Sequence, residues 1–209
     1  MSDPSADSWL TVGDGPLVEH RDRGSRFLAR ALHVADEAAA LAARAEARRR
    51  WHDATHHCLA FRIGPPEAPL ERGDDDGEPS GTAGAPMLAA IRRAELCDVA
   101  VIVTRWFGGT KLGTGGLARA YGAAARAALE AAPRRRVERL AELALRCDWD
   151  VLGAVESELA RHGEVLRGVE RRFADRPCLL VRVLRSRAGS LAARLVDVAA
   201  GRIEIDGVT

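Results

Sequence analysis

Lysine is nearly missing from this sequence. Of 31 basic residues only Lys111 is a lysine, and the rest are arginine. Tyrosine occurs once, at Tyr121, and aromatics make up 4% of the chain. Long apolar runs are absent, so nothing reads as a membrane span. The N-terminus lacks both a basic start and an apolar segment, so it does not read as a secretory signal. Four cysteines, Cys58, Cys97, Cys147 and Cys178, stand far apart with no CxxC pair. That spacing argues against a zinc site and for free thiols in or beside apolar runs, hence a reducing, cytoplasmic setting. Net charge is +1, so the whole chain is not a polycation drawn to nucleic acid.

What is present is an ordinary apolar fraction, 47% of 209 residues, enough for one large or two small cores. Residues 1–16 are polar at the start and read as a flexible lead-in. The alternation in 25–34 predicts a strand after a weaker one around 17–21, and 36–51 predicts a helix that Asp36 can cap. Residues 55–63 predict a strand, and 64–79, rich in proline, glycine and acid, a long loop. Ser80 and Thr82 are candidate N-caps for a helix over about 83–96. Residues 97–106 are short, β-branched and nearly continuous, as in a buried strand. A helix over about 117–131 ends at Pro133. Residues 133–139 form a boundary, and 134–209 then predict strand, helix, strand, strand, helix, strand. That order is the ferredoxin-like split βαβ arrangement.

The stretch TRWFGGTKLGTGGLARAYG, residues 104–122, concentrates candidate site residues. Gly108, Gly109, Gly113, Gly115 and Gly116 permit left-handed or close-approach backbone. A glycine loop that opens a helix leaves N–H groups free for an anion. Arg105, Lys111 and Arg119 add positive charge, and Trp106, Phe107 and Tyr121 offer faces on which a base can stack. Equally, the glycines can serve tight packing and the aromatics a core, and the lone lysine can fall there by chance. The loop is not a Walker A motif, because Leu112 follows Lys111. In DDDGEPSGTAGAP, residues 74–86, the acids suit a helix start. Asp76 and Glu78 are also candidates to assist a metal, or to pair with Arg105 or Arg119. A solvated loop with a helix cap is the plainer reading, and no metal or other cofactor is expected. His56 and His57 lie on a strand with no nucleophile and orienting group beside them, so they read as supporting rather than catalytic.

Three stretches, ATHHCLAF, DDDGEPSGTAGAPML and VIVTRWFGGTKLGTGGLARAYG, occur in that order. With them the chain resembles the YigZ/IMPACT family over roughly residues 17–131, and its second half is similar to the small C-terminal domain of bacterial members. The resemblance implies an α+β protein. Residues 17–133 would form a ribosomal-protein-like βαβ domain with a left-handed crossover, like domain IV of elongation factor EF-G and the GHMP kinases. Residues 134–209 would form a ferredoxin-like domain resembling EF-G domain V. It further implies translational control through protein partners in eukaryotic relatives, and names no reaction. The expected function is therefore a non-catalytic, translation-associated regulator that binds RNA, the ribosome or a translation factor through the glycine-rich loop. The rivals are a phosphate- or nucleotide-binding enzyme using that loop, and a protein-interaction module without nucleic-acid affinity.

Overall fold

A computed structural model describes residues 7–207. The described residues divide into two compact units, one of residues 9–137 and one of residues 7–8 with 138–207.

In the first unit, a five-stranded sheet has the order β2-β3-β6-β4-β5, built from β2 (Val18–Asp22), β3 (Ser25–His33), β4 (His56–Ile63), β5 (Leu70–Asp74) and β6 (Val99–Trp106). Every neighbouring pair is antiparallel. β6 is central, and its β-branched run is buried along its length because both faces of the sheet are covered. The alternation of side chains divides those faces. Phe27, Ala29, Cys58, Ala60, Val101 and Val103 join the core under α2 (Gly84–Arg93) and α3 (Gly113–Ala131). Leu59, Phe61, Ala100 and Ile102 join the core under α1 (Glu37–Arg50). Asp36 caps α1 as expected, accepting from the Ala39 N–H at 2.8 Å.

Three expectations need correction. The flexible lead-in is ordered where it is described: β1 (Ser8–Val12) pairs with β7 (Arg134–Glu138), and Trp9 Nε1 donates to Asp98 at 2.7 Å. Residues 1–6 lie outside the described range. The loop over 64–79 contains β5, an edge strand that backbone pairing with β4 supports despite its polar letters. Neither Ser80 nor Thr82 caps α2, since Thr82 Oγ1 instead donates to the Pro79 carbonyl. Asp75 takes the role, accepting from the N–H groups of Gly81, Ala83 and Gly84.

The second unit runs β8 (Leu140–Cys147), α4 (Leu152–Arg161), β9 (Leu166–Phe173), β10 (Pro177–Leu184), α5 (Arg185–Val198), β11 (Ile203–Asp206), the expected element order. Its antiparallel sheet has the order β11-β8-β10-β9. Leu143, Leu145, Leu179 and Val181 face Val155, Leu159, Leu191 and Leu195 of the two helices in a single core. No helix among the described residues is long and apolar enough to cross a membrane.

Candidate functional site

The start of β4, the turn after β5 and the end of β6 converge beside α3. Pairing sets Phe27, Arg105 and His56 abreast on adjacent strands, facing the same way as Val101 and Val103. Arg105 thus points under α3, not into solvent, and only 6% of its side chain is exposed. Its Nη1 donates to Glu78 Oε1 at 2.6 Å and its Nη2 to Ser25 Oγ at 3.2 Å. The Tyr121 hydroxyl donates to the same Glu78 oxygen at 2.7 Å. The guanidinium also lies over the rings of Phe27 and Phe107, at 5.4 and 5.8 Å from their centroids. Two residues expected to contact a ligand, Arg105 and Tyr121, are therefore buried structural groups. The ion pair expected between the acidic turn and Arg105 is present.

The other acids of the motif are also engaged internally. Asp74 pairs with Arg44 at 2.6 Å and accepts from the Asp76 N–H. The Arg44 hydrogen bond holds the Asp74 carboxyl below the usual carboxylate range. For Asp75, burial disfavours the charge, but the N–H donors of Gly81, Gly84 and Ala83 outweigh it and its pKa falls. Asp76 pairs with Arg48 and accepts from the His57 N–H at 2.6 Å. Of the candidate metal helpers, both oxygens of Asp76 and Oε1 of Glu78 are thus turned to protein partners.

The histidines brace this arrangement. His56 Nδ1 donates to the Asp76 carbonyl at 2.8 Å, and its Nε2 stands 3.8 Å from Glu78. His57 Nδ1 shares a hydrogen bond with Thr104 Oγ1 at 3.1 Å, and burial lowers its pKa. Cys58, donating to the Asp75 carbonyl, has its thiol pushed far up by burial, and burial likewise raises Tyr121. A thiol held neutral in this way is a poor nucleophile.

The glycine loop serves two purposes. Gly108 lies against Gly24, where a Cβ would come within 1.9 Å of backbone carbon, so this glycine exists for close approach. Its N–H donates to Ser25 Oγ and that of Phe107 to Thr55 Oγ1. Beyond it the chain opens. Gly109 and Gly113 have φ of +85° and +72°, with no atom near enough to touch a Cβ. Gly113, Gly115 and Gly116 belong to the first turn of α3, which begins earlier than expected and has no side-chain cap at Leu112. The first N–H groups of a helix have no partner within it. Lys111 and Arg119 are exposed beside them, while Trp106 is half-buried, with Arg26 over its ring and its Nε1 donating to Asp53. Of the three candidate stacking rings Phe107 is the most exposed, at 48%, with Arg105 against one side of it.

Next to this loop the two helices α2 and α3 leave a groove of about 620 Å³. Its apolar lining is mostly small, with Ala90, Ala118, Gly122 and Ala123 beside Pro86 and Leu129. Its rim carries Arg93, Arg119, Arg126 and Arg134 against one acid, Glu130. All four arginines are exposed. Small residues between two arginines on one helical face leave room here for a phosphate backbone or a partner. The sequence carries this signal in α3, where Arg119 and Arg126 stand seven apart with Gly122 and Ala123 between.

The Impact N-terminal domain matches residues 23–129. IMPACT family member YigZ of Escherichia coli K12 is 32% identical over 201 residues, 95% of this chain and 97% of that protein. An IMPACT family member from Thermus thermophilus is 48% identical over 141 residues, 67% of this chain and 75% of that one. A solved structure, described as the crystal structure of a hypothetical protein, superposes with a TM-score of 0.69 at 30% identity. It covers 95% of this chain and 96% of that one.

Proposed function

The chain belongs to the IMPACT family, and from that premise we propose that it regulates translation by binding a protein partner of the translation apparatus. The contact surface is the open part of the glycine loop, with Lys111, Arg119 and Phe107, together with the α2–α3 groove. The observation that carries this reading is the contrast between the two parts of the motif region. The acids, Arg105 and Tyr121 are turned inward and bonded to protein groups, while the loop from Gly109 and the arginine-rimmed groove face outward. The strand orders support the finer fold assignment as well, a ribosomal-protein-like domain followed by a ferredoxin-like one. In this reading the protein acts in the cytoplasm without chemistry of its own, and burial, which holds Cys58 and Tyr121 neutral, supports neither as a nucleophile.

A second reading has an observation of its own. The uncapped start of α3 offers N–H donors and positive charge to a phosphate, which favours RNA. Against it, only one of the three candidate rings is exposed for a base to stack on. The nucleotide-binding enzyme ranks below both, since Asp76 and Glu78 would have to leave arginine partners to hold a metal.

The tagged full chain, used to capture partners from lysate of its own cells before and after nuclease treatment, separates the readings. Translation proteins retained after nuclease support the proposal. Retention only with intact RNA turns the assignment to RNA, and loss of both ends the translation reading. Added nucleotide with Mg²⁺ leaves the melting temperature unchanged, because only a ligand of the folded state raises it.

A further inference from the structure

We infer that the groove between α2 and α3 docks an acidic amphipathic helix from the partner protein, a step that rests on the protein-binding reading above. The groove lies wholly within the first unit. Two features of its lining have to be met by the same occupant. The apolar part of the lining is alanines, Pro86, Leu129 and Gly122, which lies against Pro86, a surface that gains by being covered with apolar side chains. The rim is four arginines and one glutamate, a net of three positive charges.

An α-helix with one apolar stripe and acidic edges satisfies both. Small residues on the two flanking helices let a third backbone approach to the roughly 8–10 Å of ordinary helix packing. Arg119 and Arg126, two turns apart, are separated by about 10 Å along the α3 axis at ~1.5 Å per residue. A helix laid alongside α3 repeats its side chains at the same interval. Acids at i and i+7 would meet the two guanidiniums, while aliphatic residues at i+3 and i+4 cover Gly122 and Ala123. Arg93 at the end of α2 and Arg134 beyond α3 meet the opposite edge and the end of the helix.

Other occupants fit less well. Single-stranded RNA would satisfy the arginines, but the lining has no aromatic face for its bases. A second copy of this chain would need a helix with two acids seven apart. Among the described helices none has them, and the two acids of α4 are already bonded, Glu156 to Arg171 and Glu158 to Arg161 and His162.

The test is a displayed library of helical peptides of about 18 residues, five turns, with both faces randomised, selected on the full chain. The expected survivors carry Asp or Glu at i and i+7 beside aliphatic residues at i+3 and i+4. Their affinity should fall roughly tenfold or more in the Arg119→Glu/Arg126→Glu variant, because attraction becomes repulsion at two points. Both arginines are exposed, so the variant should melt like the parent. Ala123→Leu, which fills the groove without touching charge, should weaken the same peptides. Basic or aromatic survivors, an empty selection, or peptides indifferent to the double reversal would each overturn the inference. So would a random RNA pool that binds the parent, is lost in the double reversal and ignores Ala123→Leu, since the occupant would then be nucleic acid. If cellular capture still yields nuclease-resistant translation proteins with the double reversal, the groove falls and the proposed function stands. If peptides bind as expected but no translation protein is captured, the reverse holds.

Discussion

Glu78 accepts hydrogen bonds from Arg105 and Tyr121 on one carboxylate oxygen, with both charged side chains nearly sealed from water. Removing one member of such a pair leaves the other charge buried and uncompensated. Glu78→Gln should therefore cost about 3–5 kcal/mol in denaturant unfolding. Replacing all three groups together, as Glu78→Leu/Arg105→Met/Tyr121→Phe, should restore most of that loss, because no stranded charge remains. A variant in which Glu78→Gln is harmless would mean the pair does not hold β6 to α3. His57 gives a pH dependence. Burial lowers its folded pKa below the ordinary 6.5, so the unfolded chain binds the proton first as pH falls. Stability contributed by neutral His57 is whole above that value and drains away below it. The melting temperature should fall as pH drops below the ordinary histidine value of 6.5, and His57→Gln should flatten that slope. Asp74 and Asp75, held below the usual carboxylate range, titrate at lower pH than His57.

At the scale of elements, the glycine loop makes a prediction that separates packing from openness. Gly108→Ala places a methyl group inside the backbone of Gly24 and should cost about 3 kcal/mol or detach the loop. Gly109→Ala meets no atom and carries only the penalty of its left-handed backbone, about 1–2 kcal/mol. Equal losses at the two positions, measured by chemical denaturation, would contradict this division. The same elements show what the sequence could reveal. β6 was legible because β-branched residues in a short run have little use outside a buried strand, and α1 because Asp36 precedes an alanine-rich helix. β5 was not, since an edge strand of exposed polar residues is held by pairing with β4 rather than by its own letters. The first turn of α3 hid behind glycines whose low helix propensity the surrounding contacts override. Arg105 looked like surface because it is charged, although its place two residues after Val103 on an alternating strand sets it inside. The candidate site was legible as a region but not in its roles, because which acids turn inward depends on turns that bring distant strands together.

Across the whole molecule, the two units have separate cores, and Asp7 and Ser8 belong with the second. Asp7 accepts from the Ser186 N–H at 3.0 Å and also from its hydroxyl, and the Asp7 carbonyl accepts from the Arg139 N–H at 2.6 Å. The first turn of α5 has no cap from its own segment, since Leu184 stands where an N-cap would. A carboxylate from the other end of the sequence fills that place and complements the helix dipole. Asp7→Ala should therefore destabilise the second unit by about 1–2 kcal/mol, in the range of a lost N-cap. The loss should be local. Amide hydrogens in α5 and β8 should exchange faster, while those of β6 and α3 keep the protection of the parent chain. Were exchange to quicken equally in both sets, the two cores would unfold as one body, and Asp7 would act on the molecule as a whole rather than as the cap of one helix.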